Sequence, residues 1–276
     1  MKSIVVCGDA VAAAIALVLD RVLGISGTYR VMHLPSSASI SSQSLASCAI
    51  LLRQEPYENT IPDSTIPADC TRITFPSLEL RSLWPFNCAN PYNRPEPPRY
   101  PSGRFPYGDS FILSCLEKGI DPKHILDCYL GIEWAVSWPD LENLQKEDRE
   151  RLDALDARCD VRIATFVHEN LQHERLFWAA HAPTNKLLCE LIVRLLDRTF
   201  APKKLVSRRV LTELLHRVGA EDLFGAIGVP IHPHVARHFS LQWYDAQQRY
   251  AFFGERLTYD EYFKRMIREA RPKIAP

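Results

Sequence analysis

The chain has 276 residues, and its 33 Lys plus Arg balance 33 Asp plus Glu. Zero formal charge argues against nucleic acid as the main partner, because holding phosphates needs a basic surplus, though it leaves room for a local basic pocket. With 46% hydrophobic and 24% charged residues, the composition is that of a packed globular protein.

Ile4-Val5-Val6-Cys7 is a short, continuous, β-branched run and predicts a buried parallel strand. Gly8-Asp9 makes the turn. Asp9 is a good N-cap for a helix from Ala10 to Leu23 that ends at Gly24. The segment does not read as a signal peptide, since Asp9 interrupts it and Asp20-Arg21 follow with no small-residue cleavage site. Thr28 to Leu34 predicts a second strand, 48–52 a third running into Arg53-Gln54, and 70–76 a fourth. "PSSASISSQSLAS", 35–47, is a Ser-rich connection. Strands alternating with connections imply an α/β sheet.

The window 85–106, "PFNCANPYNRPEPPRYPSGRFP", holds seven prolines and predicts a long loop, which is either a lid bordering a ligand site or a rigid excursion. Beyond it the chain turns helical: 109–118, 121–130 with an Asp121 cap and Pro122 at the first position, 139–158 and 160–172. "RLFWAA", 175–180, reads as a late strand delivering the chain to "HAPTN". Leu187, Leu188, Leu191, Ile192, Leu195 and Leu196 then mark an amphipathic helix. Helices near 207–218 and 258–269 follow. The expected organisation is one α/β domain over 1–276: 1–84 mostly sheet-forming, 85–106 the Pro-rich loop, 107–276 mostly helical. No run of about 18 uncharged apolar residues predicts a membrane span.

Four constellations could carry chemistry. Gly8-Asp9 lies at a strand's carboxyl end beside a helix N-terminus, where open α/β sheets place ligands. No G-x-G-x-x-G or Gly-Lys-Ser/Thr follows, so neither a dinucleotide fingerprint nor a phosphate loop is present. His181 follows a strand and could act as general base, with Asn185 as an oxyanion donor; equally, His181 could satisfy a loop carbonyl and Asn185 cap its helix. His232, His234 and His238 have a spacing that could bind metal, but Pro233 disturbs it and no adjacent carboxylate or cysteine completes a set, so no metal is expected. Lys203, Lys204, Arg208 and Arg209 could hold phosphates or simply be solvated. The eight cysteines form no Cys-x-x-Cys pair and read as free thiols in a reducing cytoplasm, with Cys7 an inert strand thiol.

Gly8-Asp9-Ala10 resembles the Gly-Asp-Ser opening of the SGNH/GDSL esterases, with Ala10 at the serine. A longer set resembles the WcbI-type polysaccharide biosynthesis family: "IVVCGDAVAAAIALVL", "LLRQEP" at 51–56, "FPYGDSFILSCLEKGI" at 105–120, 159–196 ending through "HAPTN" into its helix, and "VPIHPHVARHFSLQW" at 229–243. The resemblance implies an SGNH/Rossmann-like three-layer core with a parallel sheet and a helix-rich C-terminal half. It also implies acetyl-CoA as co-substrate and O-acetyl transfer to a saccharide acceptor of a capsular or surface polysaccharide. It makes His181, Asp9 and Asn185 the catalytic candidates. Gly8, Gln54, Lys203, Lys204 and Arg208 become the coenzyme candidates.

Where the family typically has Gly-Asn-Cys-Gln, this chain has Gly8-Asp9-Ala10-Val11. Ala10 cannot form a covalent acyl-enzyme. Two readings follow: direct transfer, with His181 preferred over Asp9 as base because a helix N-terminus favours ionised carboxylate; or a catalytically altered coenzyme-binding or scaffold protein. Ala10 disfavours a third, an esterase.

Overall fold

The computed structural model describes residues 2–24, 27, 29–35, 45–56, 61–100, 102–131, 138–200, 213 and 223–269. Lys203, Lys204, Arg208, Arg209, all of the helix expected near 207–218 except residue 213, and most of the Ser-rich connection lie outside them. The chain forms two compact units: Met1–Leu78 with Arg149–Glu169 and Pro183–Leu223, and Glu79–Asp148 with Asn170–Ala182 and Phe224–Pro276.

The first unit is built on a four-stranded parallel sheet: β1 (Lys2–Gly8), β2 (Tyr29–Pro35), β3 (Cys48–Glu55) and β4 (Thr71–Pro76), in the order β2-β1-β3-β4. The expected parallel α/β architecture is therefore present. In β1, at the sheet's centre, Ile4, Val5, Val6 and Cys7 are at most 1% exposed. A strand covered on both faces gains nothing from alternation, which is why its sequence reads as an unbroken apolar run. The connecting helix α1 (Ala10–Gly24) buries Val11, Ala12, Ile15, Val18 and Leu19. The helix Asn185–Phe200 packs against β4 and buries the leucine stripe predicted for it.

The second unit holds short antiparallel pairs and helices. Asn87–Ala89 pairs with Tyr107–Asp109, and Tyr250–Phe252 with Glu255–Leu257. The helices Ser110–Glu117, Pro122–Leu130 and Tyr259–Glu269 share a core that includes Ile112 and the rings of Tyr129, Phe252, Tyr262 and Phe263. Asp121 caps the second of these by accepting from Lys123 N–H, 3.1 Å, with Pro122 at the first position as expected.

The Pro-rich segment is held by its own asparagines. The Asn93 amide donates to Ser102 carbonyl, 2.7 Å, and its oxygen accepts from Phe105 N–H, 3.0 Å. Asn90 donates to Phe105 carbonyl, 3.0 Å. Arg104 pairs with Glu96 at 2.9 Å and lies over the Tyr100 ring. Proline removes backbone donors; side-chain amides supply the closing bonds instead.

Candidate functional site

In the first unit, Gly8 ends β1 and Gln54 lies near the end of the neighbouring β3, so their carboxyl ends adjoin. Asp9 N–H donates to Gln54 Oε1, 2.8 Å. On the other side His33, from β2, meets Gly8 carbonyl through Nε2 at 3.1 Å. A carbonyl only accepts, so the His33 proton sits on Nε2. Gly8 has φ +152°, and a Cβ there would stand 2.2 Å from Gln54 Oε1. This turn can be made only without a side chain.

Asp9 caps α1: Val11 N–H donates to its Oδ1 at 2.7 Å and Ala12 N–H at 3.4 Å. The carboxylate thus occupies amides that would otherwise face an incoming anion. Asp9→Ala should cost ~1 kcal/mol of stability in urea denaturation, and Asp9→Asn only a few tenths. Gln54 is 2% exposed, and its amide nitrogen is buried with no hydrogen-bond partner among the described residues. A buried amide donor of this kind suits a carbonyl or anionic oxygen.

Asn185 belongs to the same unit and opens the helix Asn185–Phe200. Thr184 performs the capping instead: its hydroxyl accepts from Leu187 N–H, 3.4 Å, and its carbonyl from Leu188 N–H, 3.0 Å. Asn185 Oδ1 accepts from Leu223 N–H at 3.1 Å.

His181 lies in the second unit, just after the strand Phe177–Ala179, and its side chain is 47% exposed. Its Nε2 is 3.8 Å from Glu79 Oε1, and its ring lies nearly parallel to that of Tyr107, 16° between planes and 6.4 Å between centroids. A half-exposed imidazole can reach the hydroxyl of a bound ligand.

Tyr107 also lines a cavity of about 20 Å³, together with Asp109, Tyr129, His232, Phe86 and Asn87. That volume accommodates about one water. Asp109 Oδ2 accepts from Tyr129 hydroxyl at 2.6 Å, and Oδ1 from Ile112 N–H at 3.0 Å. Burial pushes its carboxyl up to about 6, against the opposing pull of these hydrogen bonds. His232 Nε2 donates to Tyr129 carbonyl, 2.9 Å, and Nδ1 accepts from His234 N–H, 3.1 Å. It therefore caps the helix Pro233–His238. Among the described residues no group of three or more His, Cys, Asp or Glu side chains is arranged to hold a metal ion.

Sequence reasoning missed His33, Glu79, Asp109 and Tyr129. His33 stands at the carboxyl end of a predicted strand, and Asp109 immediately precedes an apolar helical run, so both carried a local signal. Glu79 and Tyr129 acquire meaning only from partners distant in the chain.

A solved structure of WcbI matches over 100% of this chain and 91% of its own, with a TM-score of 0.70 and 16% identity. It is described as a novel polysaccharide biosynthesis enzyme, native and without a disulfide bond between coenzyme A and a cysteine. At that identity the likeness establishes the fold. No curated protein matches the chain. The family model for the polysaccharide biosynthesis enzyme WcbI matches residues 3–204. That span is most of the chain and includes the Gly8 turn, Gln54 and His181; the chain belongs to the WcbI polysaccharide biosynthesis enzyme family.

Proposed function

We propose that the protein transfers an acyl group from an acyl-CoA to a saccharide hydroxyl, directly and without an acyl-enzyme. The observation that carries this reading is the buried amide of Gln54 at the head of α1, whose nitrogen has no hydrogen-bond partner among the described residues. The family and the coenzyme A named with its solved member support it. Gln54 would donate to an oxygen of the acyl-CoA, while Gly8 leaves the backbone bare there. His181 would take the proton from the acceptor hydroxyl as its oxygen bonds to the thioester carbon. As the carbon–sulfur bond breaks, the same imidazolium returns the proton to the departing thiolate.

A second reading, a coenzyme-binding protein without turnover, is favoured by one specific feature. Asp9 fills the first amides of α1 and Ala10 offers no nucleophile. Isothermal titration with coenzyme A and acetyl-CoA, followed by thioester turnover with sugar acceptors, separates the two. On the enzyme reading, His181→Ala lowers turnover by roughly 100-fold or more with coenzyme affinity little changed. Gln54→Leu weakens the coenzyme itself. Binding by the wild type with no turnover for any acceptor upholds the second reading.

A further inference from the structure

We propose that Glu79 is a positioning residue for His181: its carboxylate, shared with Arg81, places negative charge beside the ring on which an imidazolium forms during proton transfer. The inference rests on the reading of His181 as base.

The segment beside Glu79 is fixed by its backbone. Leu80 N–H donates to Ala180 carbonyl at 2.8 Å, which lays residue 79 alongside residue 181. Arg81 and Ser82 N–H both donate to the Asp148 carboxylate, at 2.9 and 2.8 Å, and Asp148 is 4% exposed. These bonds anchor the chain just beyond Glu79 and fix where its side chain starts. That side chain is 16% exposed, so its charge is screened less than that of an ordinary surface glutamate.

Glu79 Oε1 stands 2.5 Å from Arg81 Nε and 3.8 Å from His181 Nε2. Glu79 raises the affinity of Arg81, the closer partner, for its proton, chiefly through this hydrogen bond. Toward the imidazole the carboxylate acts across a longer gap, as a charge more than as an acceptor. Among the described residues, Glu79, Arg81 behind it, and Tyr107 against the ring face His181. The negative charge of Glu79 faces the ring on which a general base acquires positive charge when it takes the acceptor's proton, as beside the histidine of a triad. Arg81 draws off part of that field and so limits the effect.

If Glu79 and Arg81 were only a surface pair, His181 would not register their loss. The test is carbethoxylation of His181 by diethylpyrocarbonate, which attacks the unprotonated imidazole, followed site by site by mass spectrometry from pH 5 to 8. The full-length wild type, Glu79→Gln and Arg81→Ala are compared, with thermal unfolding as a check on folding. In Glu79→Gln, carbethoxylation of His181 at about pH 5.5 should become about threefold faster. In Arg81→Ala it should become slower at the same pH, and this variant carries the test if Glu79→Gln does not fold. Coincident profiles in the folded variants overturn the proposal, whatever the turnover. Shifted profiles with turnover retained in His181→Ala uphold the pairing and overturn the base assignment instead.

Discussion

Gly8→Ala should destabilise the protein by about 3 kcal/mol in urea denaturation. The added Cβ would lie 2.2 Å from Gln54 Oε1, 2.7 Å from Gln54 Cβ and 2.7 Å from Ala12 Cβ. Two of those three neighbours cannot rotate away, because they are the first side-chain carbons of a central strand and of α1. Relief would require β1 to move from β3 or α1 to shift, and either breaks the bond from Asp9 N–H to Gln54. The backbone strain at φ +152° adds to the overlap. Gly119→Ala is the control: it also has positive φ, +71°, but nothing lies within 4 Å of its Cβ. It should cost only about 1 kcal/mol, the conformational part alone. Truncating Gln54 in the Gly8→Ala background should recover part of the loss, since one overlap disappears; strictly additive costs would show that the clash is not the cause.

Around this turn the element order and the cap were legible in the sequence, because both are local. Burial on both faces of β1 writes itself as the unbroken run Ile4-Val5-Val6-Cys7, where a half-covered strand would alternate. Asp9 and Asp121 announced their helices because a capping carboxylate must sit within three residues of the amides it serves. The role of Asn185 was less legible. "APTN" offers two adjacent capping residues, and only the backbone path decides that Thr184 caps while Asn185 reaches Leu223.

The polar cluster of the second unit was out of reach of such reasoning. Asp109, Tyr129 and His232 come from three separate stretches, and each has a sufficient local explanation: a cap, an apolar helix face, a pre-proline histidine. Their convergence on one cavity is a property of the packing. The same holds for Glu79, whose neighbour His181 is brought alongside by a backbone bond between Leu80 and Ala180. The pattern of the chain specifies which faces are buried; it does not specify which buried polar groups meet.

Asp109 should make the protein more stable as the pH falls from neutrality toward 4, the reverse of the usual carboxylate. Its carboxyl is pushed from 3.8 up to about 6, chiefly by burial, with Tyr129 hydroxyl and the Ile112 and Phe111 amides pulling the other way. Because the folded value lies above the unfolded one, the folded state binds the proton more tightly between these limits. The contribution is fully present below pH 3.8 and lost as the pH rises through about 6. At neutral pH the ionised group therefore costs up to about 3 kcal/mol relative to a neutral one. Asp109→Asn keeps an oxygen for Ile112 N–H, and Tyr129 hydroxyl can turn to accept from the new amide. Urea denaturation at about pH 7.5 should show this variant more stable than the wild type, by about 1 to 3 kcal/mol on the same principle as the shift. At about pH 4.5 the gap should narrow or close, since the wild-type carboxyl is then neutral in the fold as well. Tyr129→Phe removes a bond that favours the charged form, so its gain in stability on acidification should begin at a higher pH than in the wild type. A difference between wild type and Asp109→Asn that stays constant over this pH range would mean that the carboxylate remains ionised in the fold.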